Sequence, residues 1–121
     1  MKFREMVKKV QLYSGFSDSE SQDALEHMVE TLAVHLTEGE RKDFASQLPQ
    51  ELKDIALTVW ATEENSKKDI LTDFMETQGI DSGHAKKQIL SAWQTLKDAI
   101  SPGEIDHIRA QLPNSTVALL H

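Results

Sequence analysis

The sequence predicts an all-α protein built from two tandem, similar helical units of about four helices each, two of them short. Three observations lead to this prediction. Apolar residues recur at helical spacing. Residues that typically begin or end helices separate these apolar segments, and the whole pattern is repeated 64 residues later. No segment shows the sustained polar–apolar alternation that is typical of a β-strand. We expect residues 1–121 to form a single compact domain, in which the internal repeat 3–60 and 67–121 packs as one pseudo-two-fold body.

The repeat aligns without a gap, and its identical residues fall where helices usually begin or end. They are Gly15 and Gly79, Thr31-Leu32 and Thr95-Leu96, Gly39-Glu40 and Gly103-Glu104, and Gln47-Leu48-Pro49 and Gln111-Leu112-Pro113. Between these positions, apolar residues match apolar residues. The pattern indicates duplication of one helical unit, whose apolar faces are then buried against each other.

The first unit is predicted to contain four helices. Their expected ranges are about 2–13, 18–36, from the Thr37 cap to 46, and 50–60. Ser17 with Glu20, and Thr37 with Glu40, have the spacing of a capping box, in which the glutamate side chain reaches back to the N-cap backbone.

The second unit follows a polar link over residues 61–65. We expect Ser66 to cap a helix over 67–78 that ends at Gly79, followed by a helix over 82–100. Ser101 and Pro102 then supply a cap and a first-turn proline for a helix that runs to about residue 110. A last short helix is expected over 114–120.

The amino-acid composition excludes some classes of function and disfavours others. The chain has 121 residues, no cysteine and a net charge of −7. Disulfides, thiolate nucleophiles and cysteine zinc sites are therefore excluded. The acidic balance disfavours nucleic-acid binding, even though the first helix carries several lysines. No apolar stretch is long enough for a membrane span, so a cytoplasmic location is expected.

Six segments together resemble the bacterial family known as domain of unknown function 2267. They are residues 3–7 (FREMV), 30–32 (ETL), 36–40 (LTEGE), 47–52 (QLPQEL), 101–104 (SPGE) and 109–113 (RAQLP). The resemblance covers nearly the whole chain and implies a small, all-helical bacterial protein of two similar units. It implies no activity and transfers no catalytic residue.

Histidines and carboxylates are the candidates for chemistry. The polar candidates are His27, His35, His107 and Glu104. Glu104 and His107 form one Glu-x-x-His motif, but the matching stretch of the first unit has no histidine, so no metal site is predicted. We expect the histidines to face solvent on helix surfaces and the repeated pair Glu40 and Glu104 to serve as helix caps.

The two tryptophans have different expected places. Trp93 lies on the apolar stripe of its helix and is predicted to fill the core. Trp60 has no counterpart in the second unit and lies beside Leu57 and Val59, near the joint between the units. It either seals that joint or, with these two neighbours, lines an interaction surface.

Every motif is thus explained by folding, and the sequence predicts no catalytic residue, no cofactor and no bound metal. The function favoured is a non-enzymatic interaction or accessory protein of the bacterial cytoplasm, with a protein partner or self-association. The alternative is a small enzyme, or a small-molecule or metal binder, with a site at the seam between the two halves.

Overall fold

A computed structural model describes residues 1–120 of the chain, and within them the fold is all-helical. The helices are α1 (Phe3–Ser14), α2 (Asp18–Val34), α3 (Glu38–Ser46), α4 (Gln50–Thr58), α5 (Glu63–Lys67), α6 (Ile70–Gln78), α7 (Ser82–Ala99), α8 (Pro102–Gln111) and α9 (Asn114–Leu119). The all-α prediction is confirmed. His121 lies outside the described residues.

Local sequence explains most helix ends. Gly15 ends α1 and Gly79 ends α6, each in the left-handed conformation that glycine adopts without steric cost (φ 78° and 65°). The side chains of Ser17, Thr37 and Ser101 each accept a hydrogen bond from the backbone N–H three residues on. These N-caps satisfy donors that the first helical turn leaves unpaired.

The segment between the units differs from the prediction. Residues 63–67 form α5 instead of a polar link, because Thr62 and Asn65 make a reciprocal capping box. Ser66 lies inside that helix and caps nothing, so its predicted role is wrong. The cap of α6 is Asp69, whose carboxylate accepts from the Thr72 N–H.

The core is shared by residues from both halves of the chain. Helices α2 and α7 pack side by side, α1 lies against both, α6 packs on α7, and α4 packs on α2. Leu32 of α2 and Leu96 of α7 are fully buried, and Trp93 fills the core as predicted. Burial of these large apolar side chains is the main source of stability in such a fold.

Two glutamines make reciprocal contacts between the halves. The Thr37 backbone N–H donates to Gln111 Oε1 (3.2 Å), and the Ser101 backbone N–H donates to Gln47 Oε1 (2.8 Å). Each glutamine therefore satisfies the N-cap backbone of a helix in the other half. This reciprocity is consistent with the predicted repeat, since Thr37 aligns with Ser101 and Gln47 with Gln111.

These contacts overturn the predicted capping boxes of Glu40 and Glu104. The N-cap N–H groups that those carboxylates were expected to hold are taken by glutamines from the other half of the chain. The predicted capping box of Glu20 is also wrong, because its carboxylate contacts His84 and Gln88 instead of the N-cap backbone. Among residues 1–120, no helix is long and apolar enough to cross a membrane.

Candidate functional site

A polar cavity of about 190 Å³ lies between α2 and α6; we call it the α2–α6 cavity. One face of α2 supplies side chains at helical spacing, α6 supplies the opposite wall, and the segment around α5 closes one end. The lining residues are His27, Glu30, Thr31, Val34, His35, Asn65, Lys68, Asp73 and Thr77. Because α2 lies in the first half of the chain and α6 in the second, the cavity draws side chains from both halves.

A histidine–aspartate contact forms the base of this cavity. His27 Nε2 lies 2.9 Å from Asp73 Oδ2, and both side chains are largely buried. The ring of Phe74 packs edge-on against the His27 ring, with 4.4 Å between the centroids. His27 is therefore held in place from two sides, and the expectation that it faces solvent is wrong.

Asp73 is the most connected group of the cavity. Burial alone would raise its pKa, but the contacts with His27, Lys68 and Thr31 outweigh burial and hold the pKa below the ordinary value. Lys68 Nζ lies 3.9 Å from Asp73 Oδ1, and the Thr31 hydroxyl lies 3.3 Å from Asp73 Oδ2. Lys68 Nζ lies closer to Glu76 Oε2 (2.7 Å), so Asp73 shares this cation with Glu76.

His35 lines the same cavity one helical turn past Thr31 and is half-buried. Burial lowers its pKa, and the nearby Asp73 carboxylate only partly opposes that effect. The neutral form of His35 is therefore favoured in the folded protein. The prediction of a solvent-facing side chain fails here too, because His35 lines the cavity together with residues of α6 and of the α5 segment.

A second cavity, of about 370 Å³, adjoins the first at Glu30. It is lined by Glu30, Ile55, Thr58, Val59 and Trp60. The side chain of Trp60 is 83% exposed and that of Leu57 is 49% exposed, whereas Val59 packs partly on the core. The interpretation that Trp60 seals the joint is wrong. We call the two adjoining cavities, with Glu30 between them, the α2 groove.

The remaining candidates lie on other helices. Glu104 and His107 are on α8, where they approach Glu40 of α3. The sequence analysis assigned Glu40 to helix capping and did not place it beside His107, because the pairing of α3 with α8 joins residues far apart in the chain.

Sequence reasoning also missed Asp73 and Lys68 as cavity residues, since neither belongs to a motif. It missed the contact between Glu20 and His84 as well. One signal was available there: these two residues are 64 apart, so each aligns with the other in the repeat.

A family model described as an uncharacterised conserved protein (DUF2267) matches residues 3–119. The chain belongs to this family. The predicted resemblance is therefore confirmed over nearly the whole sequence. No curated protein matches the chain.

The α2 groove lies entirely within the part of the chain that the DUF2267 model matches. Membership of DUF2267 assigns no reaction or ligand to these residues. The α2 groove combines a buried histidine–aspartate contact, a carboxylate at the middle, and an exposed indole at one end.

Proposed function

We propose that this DUF2267 protein is a non-enzymatic interaction or accessory protein of the bacterial cytoplasm, with the α2 groove as its binding surface. The observation that carries the proposal is Trp60, whose large apolar side chain is 83% exposed at the rim of a cavity. We propose that the occupant is a partner segment with an apolar residue beside a basic one.

The apolar end of the groove supports the first half of that description. Trp60, Leu57 and Val59 all lie at the end of α4, and Ile55 adds a partly buried apolar wall. Exposed aromatic side chains beside a concavity are typical of binding surfaces, where tryptophan often contributes most of the affinity. An apolar partner residue would cover the indole and recover the free energy lost by its exposure to water.

The middle of the groove supports the basic residue. Glu30 lines both cavities and is exposed, and within residues 1–120 it forms no ion pair. Asp73, by contrast, already contacts His27 and Lys68. A lysine or arginine of the partner would pair with Glu30, and the net charge of −7 would speed its approach.

The same net charge argues against a second copy of this chain as the occupant. Two molecules that each carry −7 repel each other at low ionic strength.

Binding of defined peptides tests the proposal. Fluorescein-labelled peptides with Leu-Lys or Phe-Arg cores are compared with matched peptides in which glutamate replaces the basic residue or serine replaces the apolar one. We expect fluorescence anisotropy to show saturable binding of the apolar–basic peptides only. Trp60→Ala and Glu30→Lys should each weaken it at least about tenfold, a loss of about 1.4 kcal/mol.

Two control variants match these changes elsewhere on the surface. Leu12→Ala removes an apolar side chain of α1 that is 80% exposed, and Glu5→Lys makes the same charge reversal on α1. Both should bind as the unmodified protein does. Absence of binding by all apolar–basic peptides, or equal losses in the control variants, would overturn the proposal. A dimer in sedimentation analysis that Trp60→Ala dissociates would instead make a second copy the occupant.

A second candidate function is binding, or turnover, of a small polar molecule in the α2–α6 cavity. The observation that favours it is the positioned His27–Asp73 contact with His35 nearby. The volume of about 190 Å³ is below that of pockets for drug-sized ligands, which indicates a ligand of few atoms.

A thermal-shift screen with amino acids, nucleotides and sugar phosphates tests this second function. A ligand of the cavity should raise the melting temperature of the unmodified protein by mass action, and the rise should be smaller in His27→Gln. If no compound of the panel shifts the melting temperature, the small-molecule function is abandoned. The groove proposal would be unaffected by that result, since its probes are peptides.

A further inference from the structure

Three potential metal ligands meet where α3 packs against α8, away from the α2 groove. One ligand atom from each of Glu40, Glu104 and His107 lies within 4.8 Å of the other two. Glu40 is in the first turn of α3 and Glu104 in the first turn of α8. His107 follows Glu104 by about one helical turn and so stands on the same side of α8.

The two glutamates are available because helix capping does not use them. Thr37 and Ser101 cap α3 and α8 with their hydroxyl oxygens, and the backbone N–H groups of these two caps donate to Gln111 and Gln47. A carboxylate in the first turn is usually explained by capping. Here capping does not explain the two carboxylates, because Gln47 and Gln111 already accept from the N-cap N–H groups.

Of the two glutamates, Glu104 gives the stronger evidence for a bound cation. It is only 6% exposed, and within residues 1–120 its Oε1 has no hydrogen-bond partner. Glu40 Oε2 is also buried without a partner in that part of the chain. A buried carboxylate in this position requires a proton or a cation to compensate it.

We propose that Glu40, Glu104 and His107 bind one divalent transition-metal ion, such as Zn²⁺, Mn²⁺, Fe²⁺ or Co²⁺. Two carboxylates and one imidazole form a ligand set that suits these ions, whereas Mg²⁺ and Ca²⁺ prefer oxygen ligands alone. Ligand atoms at about 2.0–2.2 Å from one ion lie at most about 4.4 Å apart. The three ligand atoms already lie within 4.8 Å of one another, so small side-chain rotations would bring them to coordination distance.

The site also has a side open to water. The His107 side chain is 67% exposed, and its Nδ1 lies 3.8 Å from Glu104 Oε2. An ion can enter from this side, and water can fill its remaining coordination positions. Since Glu40 belongs to the first unit and the other two ligands to the second, the bound ion would link α3 to α8.

Isothermal titration calorimetry of the metal-free full-length chain tests the site. ZnCl₂, MnCl₂ and CoCl₂ are titrated separately, and the visible absorption of Co²⁺ reports its coordination. We expect one ion to bind per chain. Glu104→Gln, Glu40→Gln and His107→Gln should each weaken binding at least tenfold. His84→Gln, which removes a histidine outside both proposed sites, should leave the affinity unchanged.

Thermal stability separates a metal site from a carboxylate pair that merely shares a proton. Glu104→Gln removes the buried charge, so it should raise the melting temperature of the metal-free protein and abolish any further rise on adding metal. The unmodified protein should show that further rise. If the two carboxylates only share a proton, Glu104→Gln should still raise the melting temperature of the metal-free protein. Added metal should then not raise the melting temperature of the unmodified protein.

The proposal is overturned if none of the three ions binds. It is equally overturned if the ions bind with the same affinity to all three ligand variants, since the metal would then lie elsewhere. Circular dichroism of each variant establishes that it is folded. If one variant does not fold, the other two still decide the question.

Discussion

At the scale of single residues, the two tryptophans show how burial decides the cost of a substitution. Trp93 is 1% exposed within the core, and Trp60 is 83% exposed. We expect Trp93→Ala to lower the free energy of unfolding by about 3–5 kcal/mol, because it leaves a large cavity. Trp60→Ala should change it by less than about 0.5 kcal/mol. Urea denaturation followed by circular dichroism measures both, and similar losses would contradict the assigned burial.

Sequence could predict only one of these two positions. Trp93 lies on a helical stripe with Ile89 and Leu96, and that periodicity places it in the core. Trp60 follows the last turn of α4, where helical periodicity no longer indicates which side is buried. Its exposure depends on how the chain turns into α5, and the Thr62–Asn65 box that sets this turn was not anticipated.

His35 gives a prediction on pH. Burial holds its pKa in the folded protein below the ordinary value of 6.5, so the unfolded chain binds more protons just below that pH. The free energy of unfolding should therefore fall as the pH is lowered from 7 towards 5. His35→Gln should make this fall shallower, as urea midpoints at several pH values would show. An unchanged slope would mean that the pKa of His35 is the same in the folded and the unfolded protein.

At the scale of helices, the interlocked glutamines explain why Gln-Leu-Pro occurs twice in the sequence. Gln47→Ala and Gln111→Ala each remove a hydrogen bond to an N-cap backbone in the other half. We expect each to cost about 1 kcal/mol. Gln50→Ala, which loses only an exposed contact with Asp54 on the same helix, should cost less than about 0.5 kcal/mol. Chemical denaturation compares the three, and equal small effects would argue that the caps are satisfied by water.

Helix positions were more predictable than the contacts between helices. The caps Ser17, Thr37 and Ser101 and the terminal glycines act over three or four residues, so their effect is visible in the sequence. Glu20 contacts His84 and Gln88 of the other half, and the N-cap N–H groups of α3 and α8 donate to glutamines of the other half. No local pattern identifies them, and for that reason capping boxes were predicted where contacts between the halves occur.

At the scale of the whole molecule, we infer that residues 1–120 form a single domain of two related units, 3–60 and 67–121 in the repeat. The buried cluster includes residues from both, and α2 packs directly against α7. The α2–α6 cavity and the Glu40–Glu104–His107 group both draw side chains from the two units. The sequence named His27, His35, His107 and Glu104 as polar candidates. Their neighbours Asp73 and Glu40 depended on the packing of α6 and α8, which periodicity does not determine.

The interdependence of the two units is tested most directly by native-state hydrogen exchange at increasing urea concentrations. Because one core serves both, the slowest amides of α2 and α7 should exchange through the same global opening, with equal free energies and equal urea dependence. If the amides of α6–α9 exchanged through a lower-energy opening while those of α1–α4 stayed protected, the units would be independent. The proposed sites between them would then lose their structural basis.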